Sequence, residues 1–111
     1  GTRLPAVRTA SGLVLAGVYP ERLSSAYRAE LAQTNEPAVI AALKQARDEG
    51  FVRWSDGIMP GVTAFAVAVP VKRAEPWAIS LVGVTNLLPP PGADGVIIQR
   101  MRHAAEALAA A

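Results

Sequence analysis

The feature that most constrains this chain is an apolar segment with a two-residue period, residues 62–71. Odd positions carry bulky side chains and the even positions between them carry alanine: Phe65, Val67, Val69 and Val71 against Ala64, Ala66 and Ala68. Such alternation is typical of a β-strand, and a strand without a polar face must be covered on both sides. The alanine face predicts either a helix packed very close to the strand or a cavity above it.

Two further segments predict an antiparallel sheet around this strand. Residues 51–54 form a short strand that ends at the turn Ser55-Asp56-Gly57, and residues 77–84 form the hairpin partner of the long strand. The partner strand places Trp77, Ile79 and Leu81 on one face and Ala78, Ser80 and Val82 on the other. A Ser80 hydroxyl buried among apolar side chains needs a backbone group, a water or a ligand as its hydrogen-bond partner.

Four helices are predicted beside the strands. Thr9 or Ser11 caps the first helix, which Gly17 ends, and Pro20 begins a second helix that runs to about residue 32. Asn35 caps the third, with Gly50 at its C-terminal end, and Asp94 caps a fourth over residues 95–110. Their predicted buried stripes are Leu23, Tyr27 and Leu31; Val39, Leu43 and Ala46; Ile97, Met101, Ala104 and Leu108. The fold class is therefore α/β (α+β), an antiparallel sheet flanked by helices.

Length and composition exclude several classes of protein. A chain of 111 residues forms one domain, and 51% hydrophobic against 18% charged residues excludes disorder. The longest apolar run is about half of what spans a bilayer, so no membrane association is expected. No secretory signal opens the sequence, which predicts a cytoplasmic location. Eleven basic residues against nine acidic ones are scattered along the chain, so DNA binding by this segment is not expected.

Residues suited to catalysis or metal binding are scarce. The sequence has no cysteine and a single histidine, His103, on the polar face of the last predicted helix. We therefore predict no enzyme activity, no catalytic residue, no metal and no cofactor. A binding site is more plausible than a catalytic one, because the unpaired N–H groups of a helix N-terminus at residues 9–12 suit a carboxylate. The alternative, which the residues alone favour, is that these residues form an ordinary helix cap.

Three stretches, in their order and spacing, carry a family resemblance. They are Gly1-Thr2-Arg3-Leu4-Pro5 with Thr9-Ala10-Ser11-Gly12; Leu43-Lys44-Gln45-Ala46-Arg47-Asp48-Glu49-Gly50-Phe51; and Pro60-Gly61-Val62 through Ala66-Val67-Ala68-Val69-Pro70-Val71, followed by Ala78-Ile79-Ser80-Leu81. They resemble Gly-x-Arg-x-Pro-Leu-His-x-x-Ala-x-Gly-Lys, Leu-x-x-Ile-Arg-x-x-Gly-Tyr and Gly-Val-x-x-Ile-Ala-x-Pro-Val with Ala-x-Ser-Val-Ser-Gly. These motifs belong to the C-terminal effector-binding domain of IclR-type bacterial transcription regulators.

The resemblance implies a GAF-like domain over residues 1–111 that binds a small-molecule effector, often a carboxylate. In the family this domain also forms homo-oligomers, here expected as a dimer or tetramer. DNA binding belongs to a separate N-terminal winged helix-turn-helix, which this chain lacks. The family's domain also begins earlier, so the chain is expected to correspond to a fragment of the domain or to a shortened relative.

Carried over by position, the effector pocket would have seven lining residues: Ala10, Ser11, Gly12, Trp54, Ala64, Ser80 and Val82. Family members that bind small acids usually have aspartate at the position of Trp54 and often small polar residues at those of Ala64 and Val82. The more apolar lining here favours an aromatic or otherwise apolar carboxylic acid. The alternative is a degenerate domain whose pocket Trp54 occludes, so that the domain serves only subunit assembly.

Overall fold

The computed structural model describes residues 9–57, 59–70 and 76–110. Its helices are α1 (Ala10–Val18), α2 (Ser25–Gln33), α3 (Pro37–Glu49) and α4 (Gly95–Ala110), and its strands are β1 (Phe51–Ser55), β2 (Val62–Ala68) and β3 (Ala78–Val84). Single 3₁₀ turns lie at Pro20–Arg22 and Thr85–Leu87. The strands form one antiparallel sheet in the order β1-β2-β3, which confirms the predicted hairpin and the predicted α+β class.

β2 is the centre of a three-layer arrangement. On its alanine face, Ala64 and Ala66 pack against Leu13 and Val14 of α1 in a buried cluster that also includes residues of α3. On its bulky face, Phe65, Val67 and Val69 pack against Ile98, Met101 and Ala105 of α4. Of the two arrangements predicted for the alanine face, the closely packed helix is the correct one. The predicted Val71 lies outside the described residues.

Gly17 lies within α1 rather than at its end, which corrects the predicted helix boundary. A Cβ atom at Gly17 would lie 2.4 Å from the Cβ of Ala46 on α3 and 3.0 Å from the carbonyl oxygen of Leu43. The glycine therefore permits close approach of two helices, and α1 continues to Val18 because nothing in its backbone requires a stop.

Two other predicted helix starts are also displaced, each by a competing local preference. The second helix begins at Ser25 instead of Pro20, because the Ser24 hydroxyl accepts a hydrogen bond from the Tyr27 N–H at 3.1 Å and caps α2 there. Leu23 is extended and outside the helix. The N-cap of α3 is Glu36, not Asn35, because the residue before a proline is disfavoured in helical conformation.

The predicted end of α3 is confirmed, and the predicted buried face of α4 is shifted by one position. Gly50 adopts a left-handed conformation with φ of 76° and closes α3. On α4 the buried residues are Ile98, Met101 and Ala105, whereas the predicted Ala104 and Leu108 are exposed. Because Ile97 and Ile98 are adjacent, the sequence is compatible with two buried faces, one containing each isoleucine. In the structure the face that contains Ile98 packs against β2.

We predict that Gly17→Ala destabilises the fold by about 1–3 kcal/mol, because the added methyl group overpacks the contact between α1 and α3. Chemical denaturation of both proteins measures the free energy of unfolding. Gly95→Ala is the matched control, since a Cβ at Gly95 meets nothing within 4 Å. Equal stability of the two variants would contradict the proposed close approach.

Candidate functional site

The predicted site residues on the strands share the alanine face of the sheet. The register pairs Trp54 with Ala64 and Ala64 with Val82, so these three side chains form one row across the sheet. Ser80 pairs with Ala66 in the neighbouring row. The backbone therefore brings the four strand positions together on one face, as period-two alternation requires.

The N-terminus of α1 packs against the same face. Ala10 is buried in one cluster with Trp54 and Ala64, and Ser11 beside it is half-buried. Thr9 caps α1, as predicted, with its Oγ1 accepting a hydrogen bond from the Gly12 N–H at 3.0 Å. Because the Gly12 N–H is used in this capping bond, it is not available to a ligand. The contribution of Gly12 to the site is that it has no side chain to obstruct a ligand.

Trp54 is held in place by the turn that follows β1. Its side chain is buried, with 7% of the residue exposed, and its indole lies directly over Gly57. A Cβ at Gly57 would be 1.5 Å from the Trp54 Nε1 atom. Gly57 in the turn Ser55-Asp56-Gly57 therefore leaves the space that the Trp54 indole occupies.

Ser80 and Val82 lie at the open side of the site. Both are exposed on β3, and 56% of Val82 is accessible to solvent. The prediction that Ser80 is a buried hydroxyl is therefore wrong for this structure. The reason is that α1 and α3 both pack against β1, so the described helices cover the alanine face of β1 and β2 more completely than that of β3.

On the opposite face, β1 contributes a buried ion pair that the sequence analysis missed. Arg53 Nη1 donates to Asp94 Oδ2 at 2.8 Å and to the Pro89 carbonyl oxygen at 2.9 Å, with each charged side chain only 9% exposed. The guanidinium carbon lies 5.1 Å from the centroid of the Phe65 ring. The sequence signal was an arginine between two apolar residues of a predicted strand, Val52 and Trp54.

Trp54 and Arg53 also line a cavity of about 370 Å³ at the outer edge of β1. Its other walls come from α3, including Gln45, and from Pro91 in the proline-rich loop. Among the described residues, no three potential metal-ligating side chains lie together. No helix in the described ranges is long and apolar enough to cross a membrane.

Structure comparison finds the same fold in known transcription regulators. The PobR inducer-binding domain from Acinetobacter, a double mutant in complex with 3-hydroxybenzoic acid, matches with a TM-score of 0.72 and 24% identity over 97% of this chain and 67% of that chain. Pseudomonas aeruginosa HmgR matches with a TM-score of 0.67 and 26% identity over 98% of this chain and 46% of that one. An IclR homologue from Microbacterium hydrocarbonoxydans complexed with 4-hydroxybenzoate matches with a TM-score of 0.72 and 22% identity, over 98% and 46%.

These matches confirm the predicted resemblance at the level of the fold. The chain has the fold of part of the effector-binding domain of IclR-type regulators, and it spans about half to two thirds of the matched chains. The sequence matches no protein-family model, and the search of curated proteins gave no significant match.

We predict that Gly57→Ala displaces the Trp54 indole, because the two cannot occupy the same space. In a Trp77→Phe background, which leaves Trp54 as the sole tryptophan, its fluorescence should shift toward that of a solvated indole. Gly95→Ala in the same background should leave the emission unchanged. An unaltered spectrum in the Gly57 variant would show that Trp54 has room elsewhere.

We also predict that Asp94→Ala costs about 3–5 kcal/mol of stability, because it leaves the buried Arg53 cation uncompensated. Asp48→Ala is the control: it removes the carboxylate of an exposed ion pair with Lys44 and should change stability little. Denaturant titration of the two variants compares them directly. A loss no larger for Asp94 than for Asp48 would mean that the Arg53–Asp94 pair is dispensable.

Proposed function

We propose that this chain is the small-molecule-sensing part of an IclR-type transcription regulator, and that it binds an aromatic or otherwise apolar carboxylic acid on the alanine face of the sheet. The carrying observation is the Trp54–Ala64–Val82 row next to the first turn of α1, in a fold shared with inducer-binding domains. Two matched proteins are complexed with hydroxybenzoates, which supports an aromatic acid. No catalytic role is proposed.

The chemistry of the row suits such a ligand. The exposed Val82 side chain offers apolar surface, and Trp54 and Ala64, which lie buried beneath α1, make the rest of the row apolar. None of the seven candidate residues is charged. A carboxylate would therefore rely on the Ser80 hydroxyl and on the N–H groups and positive dipole end of α1 near Ser11.

Other properties of the whole regulator follow as parts of the same proposal. DNA would be bound by a separate winged helix-turn-helix domain, and the regulator would act in the cytoplasm as a homo-oligomer. The scattered basic residues support this division, since a DNA surface needs a concentrated positive patch. In this chain alone, duplex DNA should be bound only weakly and in a salt-sensitive manner.

We predict that 3-hydroxybenzoate or 4-hydroxybenzoate changes Trp54 emission in the Trp77→Phe background and raises the thermal midpoint of unfolding. Ser80→Ala should weaken binding about tenfold or more, because a hydrogen bond to a charged group contributes roughly 1.5–3 kcal/mol. Ser25→Ala, an exposed serine on α2, is the matched control and should bind as the parent does.

Two results would count against this site. The first is the absence of any thermal or fluorescence response to a panel of aromatic and aliphatic acids, with Trp54 still buried. The second is binding that the Ser80 and Ser25 substitutions affect equally. Either result would favour the second candidate function, subunit assembly without effector binding.

The exposed edge of β3 is the specific observation that favours assembly. Five large apolar residues from the β3 hairpin and the turn after it are exposed: Trp77, Leu81, Val82, Val84 and Leu87. The strand contains neither charge nor proline, the features with which proteins commonly protect an edge. We propose that this edge pairs with the same edge of a second copy of the chain. Because β3 carries no charge, two copies of it would not repel each other.

We predict that Val84→Lys, a charge placed on this edge at a residue that is 53% exposed, shifts the chain from dimer or larger assembly toward monomer. Val96→Lys is the control, because Val96 is 68% exposed but lies on α4. Light scattering after gel filtration gives the mass of each variant. A parent protein that is a stable, folded monomer at micromolar concentration would refute association through β3.

A further inference from the structure

Trp54 is the only aromatic residue in the buried cluster that the described residues form on the alanine face of the sheet. The other buried members of this cluster are aliphatic, and half of the cluster is alanine: Ala10, Ala42, Ala46, Ala64 and Ala66. These alanines come from α1, α3 and β2. Small side chains on three elements therefore leave a space that one large ring fills.

The turn after β1 closes this space on one side. A Cβ atom at Gly57 would lie 1.5 Å from Nε1 and 2.2 Å from Cδ1 of the indole, so the turn holds no side chain there without displacing the ring. Trp54 also lines the groove between α3 and the outer edge of β1, together with Ala38 and Pro91. The ring is therefore buried, yet a molecule that replaced it could enter from this groove.

The candidate site residues accordingly fall into an inner and an outer part. The inner part, Ala10, Trp54 and Ala64, is buried, with no more than 7% of any of the three residues exposed. The outer part, Ser80 and Val82, is exposed on β3. A ligand that approaches from solvent meets the outer part, whereas the inner part is already filled by the Trp54 indole.

We infer that Trp54 determines the ligand specificity of the proposed site, because its indole occupies the space that would otherwise accept an aromatic ring. A ligand of this chain is then limited to one that binds against Ser80 and Val82. The position of the effector is taken from the proposed function, whereas the ring-sized space at Trp54 is independent of it. Removal of the side chain leaves an apolar cavity, and apolar cavities of roughly 150 Å³ stay dry and bind benzene-sized molecules.

The test measures binding of free indole to Trp54→Ala by isothermal titration calorimetry and by the thermal midpoint of unfolding. We expect this variant to bind indole at least about tenfold more tightly than the parent, because the ring re-enters an apolar cavity of its own shape. Trp77→Ala is the matched control: 44% of Trp77 is exposed, so removing the same side chain there leaves no buried cavity and the affinity for indole stays at the parent level. If Trp54→Ala is unfolded alone, indole should restore its folding.

Specificity is tested with 2-naphthoate, an acid whose fused rings are larger than the ring of a hydroxybenzoate. Trp54→Ala should bind it at least about tenfold more tightly than the parent does, since the second ring gains a buried apolar space. The inference is overturned if Trp54→Ala gains no affinity for indole over Trp77→Ala, or none for 2-naphthoate over the parent. Failure of the hydroxybenzoates to bind the parent, with indole binding to Trp54→Ala intact, would count against the proposed effector alone.

Discussion

Burial of β2 on both faces is the constraint on which the rest of this structure depends. A strand with alanines on one side and phenylalanine and valines on the other cannot face water, so the chain must supply a layer on each side. α4 supplies one with Ile98, Met101 and Ala105. α1 supplies the other, and the alanines set its distance from the sheet, because small side chains let the helix approach closely. That approach also brings the first turn of α1 beside Trp54, so the packing of β2 and the geometry of the candidate site have the same cause.

The two edge strands of the sheet, β1 and β3, differ in the side chains that protect their outer edges. Outside β1, the Gln45 side chain accepts the hydrogen bond of the Arg53 N–H, and the Arg53–Asp94 pair joins the strand to the proline-rich loop and the start of α4. A buried ion pair adds little net stability relative to an apolar contact, yet removing one partner is costly. Its effect is to specify which loop lies at this edge. β3 has no comparable side chain among the described residues, and its outer edge pairs with no described strand.

The alternation of side chains in the strands and the glycine and turn residues between elements made much of this fold predictable. The three strands, the hairpin and the left-handed Gly50 each follow from a local rule about side-chain period or backbone conformation. The interior position of Gly17 does not, because its reason is the Cβ of Ala46 on another helix. For the candidate site, the sharing of one face by Trp54, Ala64, Ser80 and Val82 follows from period-two counting. The burial of each side chain does not, since Val82 is exposed and Trp54 is buried within the same row. Coverage depends on how the helices lie over the sheet, since α3 packs against β1, and alternation within a strand carries no information about that.

The proposed effector binding and the proposed assembly through β3 are compatible in this geometry. The Val69 N–H donates to the Trp77 carbonyl oxygen at 2.9 Å, so the odd-numbered residues of β3 are those hydrogen-bonded to β2. In an antiparallel pair the alternate residues then direct their N–H and C=O groups outward, and these are Ala78, Ser80, Val82 and Val84. A strand added at this edge would pair with those groups. It would also extend the Trp54–Ala64–Val82 row by one residue, which would lie beside Val82. Its side chains on that face would then lie beside Ser80 and Val82, the two candidate site residues that are exposed in this chain. If the proposed effector binds beside these residues, the partner strand would shield it from water, and effector affinity would depend on assembly.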